Sequence, residues 1–288
     1  MTTGASEFID STTADVFIPE IWSQEVIVAR EQRLVFASLV DRKYEKGLKY
    51  GDTVNIGSIG NLTAQSKAKS TNAAIVYETV TETQLQISIA TWEYNGIATE
   101  KIVEVQAMID LAAKYAPKQG YALDLAVDDV LAGLVDDFTT NVIGTLGVSL
   151  EYDDILEGSQ ALDDSNSPDD GRVIIASPAQ ITEWMKLDAF IHADYSSVHG
   201  GIGQPAGPAY TKSWLNMPVY KSTNVEGSNA AGHDNCMIHK SALALVMQMN
   251  PTSHSVFDID YLCQKIVVEQ LYGSKEIRDD HGCFLRGL

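Results

Sequence analysis

Apolar and polar residues alternate over positions 53–56 (Thr, Val, Asn, Ile) and again over 84–89 (Gln, Leu, Gln, Ile, Ser, Ile). A period of two belongs to a strand with one covered face. Thr79, Thr81 and Thr83 carry the second pattern backward, and glycines 51, 57 and 60 punctuate the first. Between them, positions 63–74 hold Thr, Ala, Gln, Ser, Lys and Asn, with almost nothing to bury. The pattern predicts a long two-stranded ribbon with a soft polar tip. A lone hairpin is marginally stable in water. The apolar face made by Val54, Ile56, Leu85, Ile87 and Ile89 therefore needs a neighbouring surface.

Helical spacing appears elsewhere. In "FIPEIWSQEVIVAREQRLVF" (17–36), Ile18, Trp22, Val26 and Ala29 recur on one face. Pro19 and Glu20 suit the start of that predicted helix and Arg30 and Arg33 its end. Ile102, Val105, Ile109, Ala112 and Ala113 form a stripe over 99–116, which Pro117 and Gly120 are expected to interrupt. The strongest helix is expected at 121–138. There Leu123, Val127, Val130, Leu131, Leu134 and Phe138 share a face, with Asp124, Asp128 and Asp129 mostly off it. Further helices are predicted at 153–164 and at 178–190, the latter starting at Ser177 and Pro178 with a stripe of Ile181, Trp184, Met185 and Leu187. "VIIAS" (173–177) reads as a buried strand, and "MPVYKS", "NCMIHKSALALVMQM" and "IDYLCQKIVVEQLYGSKEIRDD" supply more. Residues 191–210 read as a loop. The mixture is α+β, without strict β-α-β alternation.

At 288 residues and 45% hydrophobic, the chain can bury a substantial core in one or two domains. No apolar run approaches the ~20 residues that span a bilayer. The N-terminal stretch lacks the basic and apolar regions of a signal peptide and is expected to be a polar arm. Three cysteines, Cys236, Cys263 and Cys283, argue against a disulfide framework and fit a reducing cytoplasm. A formal charge of −19 disfavours gripping nucleic-acid phosphates.

Candidate chemistry is sparse. His233, Cys236 and His239 are three residues apart, but no fourth ligand is nearby and the spacing matches no metal motif. "DDSNSPDDG" (163–171) is rich in carboxylates yet lacks the order and closing Glu of a calcium loop, so an acidic solvated turn is expected. "GGIGQPAG" (200–207) has glycines but no Gly-Lys-Ser/Thr. There is no Gly-x-Ser-x-Gly elbow, and Cys236 and Cys263 lie in apolar segments that suit core better than activated thiolate. Acid pairs such as Asp128/Asp129 and Asp136/Asp137 point apart on a helix.

Taken in order, "FIPEIWSQEVIVAREQRLVFASLV", "GDTVNIGSIGNLTA", "ASPAQITEWMKLDAFIHADY", "WLNMPVYKSTNV", "HKSALALVMQMNP" and "YLCQKIVVEQLYGSKEIRDDHG" resemble a bacteriophage major capsid protein of the Hong Kong 97 type, over roughly residues 16–285. The resemblance implies an N-terminal arm (1–47), an extended loop (48–95), a peripheral domain with a spine helix (96–145 and 241–288) and an axial domain (146–240). It implies a structural protein rather than an enzyme, with no catalytic residue, cofactor or metal. Its subunits would form pentamers and hexamers of an icosahedral head around double-stranded DNA, which they touch non-specifically. A separate scaffolding protein, a portal and decoration proteins are the other partners implied, and no membrane. The location implied is the virion, after assembly in the host cytoplasm.

The ribbon then acquires a purpose. It would reach over an identical neighbour, and Trp22, Val54, Ile56, Lys67, Lys69, Leu85, Ile87 and Ile89 are the expected inter-subunit contacts. Lys67 and Lys69 occupy the loop from which some family members form a covalent crosslink. The partner asparagine and the catalytic acid have no match here, so the crosslink is not carried over. An encapsulin-like compartment with protein cargo, a tail or connector subunit, and an enzyme with a dispersed site remain alternatives. Deleting residues 62–82 is expected to leave a soluble subunit that forms no closed particles; normal shells under the electron microscope would contradict this.

Overall fold

The computed structural model describes residues 34–45, 48, 50–67, 69, 74–102, 111–187, 210–215 and 217–288. Most of the expected helix at 17–36, the middle of the stripe at 99–116 and almost all of the loop at 191–210 lie outside these residues.

Strand β5 (Arg172–Ala176) is buried along its whole length. It lies inside a sheet ordered β4-β12-β9-β5-β7-β6, where β4 is Val142–Gly144, β6 Tyr210–Trp214, β7 Met217–Lys221, β9 Gly232–His239 and β12 Gly282–Gly287. A short β8 (Gly227–Ser228) pairs with β9 and completes seven strands. β5 runs parallel to β7, and β4 to β12; the remaining pairs are antiparallel. Successive side chains enter different cores. Val173, Ile175, Cys236, Ile238 and Phe284 join one cluster, and Ile174, Ala176, Met237, Cys283 and Leu285 join another. Burial on both faces is why "VIIAS" reads as a continuous apolar run instead of an alternation.

The first core is closed by helix α2 (Leu111–Gly133), through Val127, Leu131 and Ala132. The expected break at Pro117 and Gly120 does not occur; one helix runs through both. Proline removes one donor from the ladder. Packing offsets that loss: the buried Gln119 donates to the Asn95 and Ile266 carbonyls at 3.2 and 3.4 Å, and Leu123, Val127 and Leu131 are buried beyond it. The second core is closed by α3 (Tyr152–Asp164) and α4 (Pro178–Trp184). Ser177 caps α4 as expected, accepting the Gln180 amide at 3.0 Å. The helix is shorter than predicted: tight bonds from Lys186 and Leu187 close its end, and Met185 is exposed instead of lying on the stripe.

A second sheet has the order β10-β11-β3, with β3 Thr91–Glu100, β10 Leu243–Asp258 and β11 Cys263–Glu276, all antiparallel. Strand β3 is not predicted by the pattern, and its last residues, Thr99 and Glu100, fall inside the expected 99–116 helix, which they correct to strand. Its alternation is inverted, with Trp92 and Tyr94 exposed at 67% and 73% and Glu93 turned inward to accept from Tyr272 Oη and Gln270 Nε2, both at 3.0 Å. Aromatics on the wet face and a carboxylate on the covered one erase the usual signal.

Two acidic expectations need correcting. Asp128 is fully buried on α2, not off its packed face. It accepts the Val35 and Ala37 amides at 3.1 and 3.2 Å, supplying the start of the short helix α1 (Phe36–Leu39), and also accepts Asn224 Nδ2 at 3.0 Å. The turn at 163–171 is more than solvated surface. It wraps the buried Arg172 guanidinium, which meets Asp163 at 2.6 Å, Asp169 at 3.1 Å and the carbonyls of Ser167 and Pro168.

Asp128→Ala strands three donors, those of Val35 and Asn224 buried and that of Ala37 half-buried, and is expected to cost about 2–4 kcal/mol. Asp128→Asn keeps one acceptor and should cost less. Thermal denaturation of both variants checks the order.

Candidate assembly surface

The ribbon consists of β1 (Thr53–Ile59) and β2 (Glu82–Ser88), paired from Thr53–Ser88 to Ile59–Glu82. Its legs stay linked beyond the strands: the Gly60 amide donates to Thr81 O at 3.0 Å, and Thr63 N and Oγ1 both donate to the Glu78 carboxylate at 2.9 Å. The threonines at 79 and 81 are thus tied to the ribbon without being part of its strand.

Its base finds cover within the same chain. Ile87 is completely buried and Ile89 nearly so, in a cluster with Ala244 and Val246 of β10. Val54 and Ile56 pack against that cluster half-buried, with Leu271 and Ile277, and Leu85 is also half-buried. A fully covered Ile87 has no surface to offer another subunit. The expectation that the whole apolar face awaits a second copy thus changes for the base, because β10 and β11 lie beneath it. Trp22 lies outside the described residues. Lys67 and Lys69 are exposed.

Close approach seats this base. A Cβ at Gly273 would stand 2.3 Å from Ser88 O and 3.1 Å from Ile89 Cα. The Ile89 amide donates to Asp52 O at 2.7 Å, Lys275 Nζ to Gln86 O at 3.2 Å and Gln248 Nε2 to Gly51 O at 2.8 Å. Gly51 itself has φ of 104°, a left-handed turn that glycine adopts without strain.

The outer half is different. Ile59, Leu62, Ile75, Val76, Tyr77 and Val80 are all exposed, Val76 at 75% and Tyr77 at 87%. Single exposed apolar residues are ordinary, but six along one thin projection make a candidate interaction surface. The sequence pattern had pointed to the base and missed these residues. The run Ile75-Val76-Tyr77 in an otherwise polar segment was the available signal. The β10–β11 turn is also apolar and exposed, at Val256, Phe257, Ile259, Tyr261 and Leu262.

Beneath the ribbon lies a cleft of about 890 Å³, lined on one side by Ile56–Asn61 and Leu85 and on the other by His239, Ser241 and Ile277–His281. The cysteines are unsuited to nucleophilic work: burial pushes the Cys283 thiol up to about 12 and the Cys236 thiol higher still. On β9, Cys236 faces away from His233 and His239, so the trio does not converge. His233 instead bonds Glu226 O at 3.2 Å and Asn229 Oδ1 at 3.0 Å. Among the described residues no cluster of three metal-ligating side chains exists.

Gly273→Ala is expected to lift the ribbon's base, costing about 1–3 kcal/mol and raising hydrogen exchange at the Ile89 amide. Gly57→Ala, where nothing lies within 4 Å of the added carbon, serves as the neutral comparison. Equal exchange in the two variants would refute the seating role.

No family model and no curated protein sequence matches the chain. Solved structures do. A structure from Mycobacterium phage Che8 is 24% identical with a TM-score of 0.79, covering 94% of this chain and 97% of that one. The capsid structure of cyanophage P-SCSP1u is 15% identical, with a TM-score of 0.76 and coverages of 99% and 95%. The mature capsid of bacteriophage PhiM1 is 13% identical, with a TM-score of 0.69 and coverages of 93% and 91%. At these identities the likeness is one of architecture, and it extends over nearly the whole length of each chain. The chain has the fold of these phage structures, the Hong Kong 97 type that its sequence resembles.

Proposed function

We propose that the chain is a bacteriophage major capsid protein whose identical copies assemble into the pentamers and hexamers of an icosahedral head. The observation that carries this is the near-complete match of its fold to capsid structures, end to end on both sides. The uncovered outer ribbon supports it, because a projection with six exposed apolar residues gains stability only from another surface. In this reading residues 1–47 are the arm and 48–95 the extended loop. Residues 96–145 with 241–288 make the peripheral domain, and 146–240 the axial domain. Strands β4 and β12 carry the peripheral segments into the axial sheet.

Ile59, Leu62, Ile75, Val76, Tyr77 and Val80 now take the role first given to the ribbon's base, with Lys67 and Lys69 beside them. A contact of roughly 800 Å² per partner suffices for specific association, and closure of a shell multiplies weak contacts. The protein acts as a wall and not as an enzyme. Its −19 charge gives double-stranded DNA little to adhere to, so the contents can be packed and released. A scaffolding protein, a portal and decoration proteins complete the head, which forms in the host cytoplasm and becomes part of the virion.

Negative-stain microscopy of the purified protein should show closed shells. Val76→Asp and Tyr77→Asp should abolish them while leaving the unassembled subunit's stability within about 0.5 kcal/mol, as exposed substitutions do. A monomer that persists at high concentration, or variants that assemble normally, would overturn the proposal. Tubes or open rings would favour a tail or connector subunit, and shells filled with protein an encapsulin-like compartment.

A further inference from the structure

Besides the passage from β3 through α2 into β4, the chain crosses between the two sheets from β9 into β10 and from β11 into β12, and these last two crossings lie side by side. The crossings are lashed together, since the Ile277 and Arg278 amides both donate to Ala242 O, at 2.8 and 3.2 Å. Beside this knot His239 and His281 stand edge to face, ring centres 5.7 Å apart, with Ser241 between them.

Their hydrogen bonds admit one arrangement of protons. The Asp170 carbonyl only accepts, so His239 Nε2, 3.0 Å away, carries the hydrogen and Nδ1 is bare. Nδ1 then accepts the Ser241 amide at 3.2 Å and the Ser241 hydroxyl at 2.7 Å. That hydroxyl, its hydrogen given away, accepts from His281 Nδ1 at 2.7 Å. His281 Nε2 is left bare, facing the Arg278 guanidinium at 3.5 Å. Both rings are neutral. A proton added to His239 sets N–H against the Ser241 amide, and one added to His281 sets N–H against a guanidinium.

We propose that His239, Ser241 and His281 form an acid-released clasp: with neutral rings it locks the two crossings, and with charged rings it lets the sheets shift against each other. Access exists, because the cluster opens onto the cleft beneath the ribbon. The surrounding charges are mixed. Arg172 and Arg278 oppose protonation, Asp170 and Asp280 favour it, and Lys43, Tyr44 and Asp279 line the cleft. Burial comes first, followed by these charges, and both imidazoles are held below their ordinary range.

The sign follows. The closed form binds fewer protons than the open one, so from the ordinary imidazole range of ~6.5 down to the closed form's own lowered range the opening constant rises by up to about tenfold per pH unit for each ring. Glu276 works the other way. Burial and then Asp279 and Asp137 raise its carboxyl to about 7, so acid strengthens its surroundings. A global melting curve would blend the two effects, and a local readout separates them.

Hydrogen exchange at the Ile277 and Arg278 amides, corrected for intrinsic rate, should show the opening constant rising tenfold or more from pH 6.5 to 5.0. Amides of α2 should show no such step. His239→Gln and His281→Gln should each flatten the rise, whereas Glu276→Gln should keep it. A flat profile in the natural protein would overturn the clasp whatever the variants do, and so would an undiminished rise in both histidine variants.

Discussion

Every side chain of β5 is buried, and from Val173 to Ala176 consecutive residues belong to different cores, one under α2 and one under α3 and α4. The same division runs through β9 and β12. A strand covered on both faces cannot slip by one residue without exchanging the two sets, and that fixes its register firmly. Helix α2, the capped turn at Phe36 and the second sheet all attach to the first of these cores. The rest of the molecule is hung on that doubly covered middle.

What cannot be hung there projects. Seven residue pairs of ribbon extend from a base that Ala244 and Val246 hold by contact and Gly273 admits by its missing side chain. The base is therefore a packed root and the outer half an uncovered one. The contacts of the root lie within the chain and use none of the exposed residues farther out.

Much of the architecture was legible in the sequence. Period-two alternation located β1 and β2, the apolar run located β5, and Ser177-Pro178 located the start of α4. The α2 stripe was correct, yet its extent was not, because a proline costs one hydrogen bond while Gln119 and the buried residues after it act over a distance that no local rule sees. β3 was hidden by inversion, with Trp92 and Tyr94 outward and Glu93 inward. Asp128 was misplaced for a related reason. Its partners, the Val35 and Ala37 amides, lie some ninety residues away, and only the fold reveals that a buried carboxylate is satisfied by them. For the ribbon, alternation identified which residues needed cover but could not say whose. The order of the segments, more than any motif, carried the resemblance that solved structures bear out at the level of fold.

The position of β12 has a further consequence for how the molecule comes into being. It lies between β4 and β9, and among the described residues β4 has no other partner in the sheet. It is the latest in the chain of the described strands there, so the two halves of the sheet stay unjoined, and Phe284 is missing from one core and Leu285 from the other, until β12 docks. Docking of β12 is thus the single step that closes the sheet and completes both cores together.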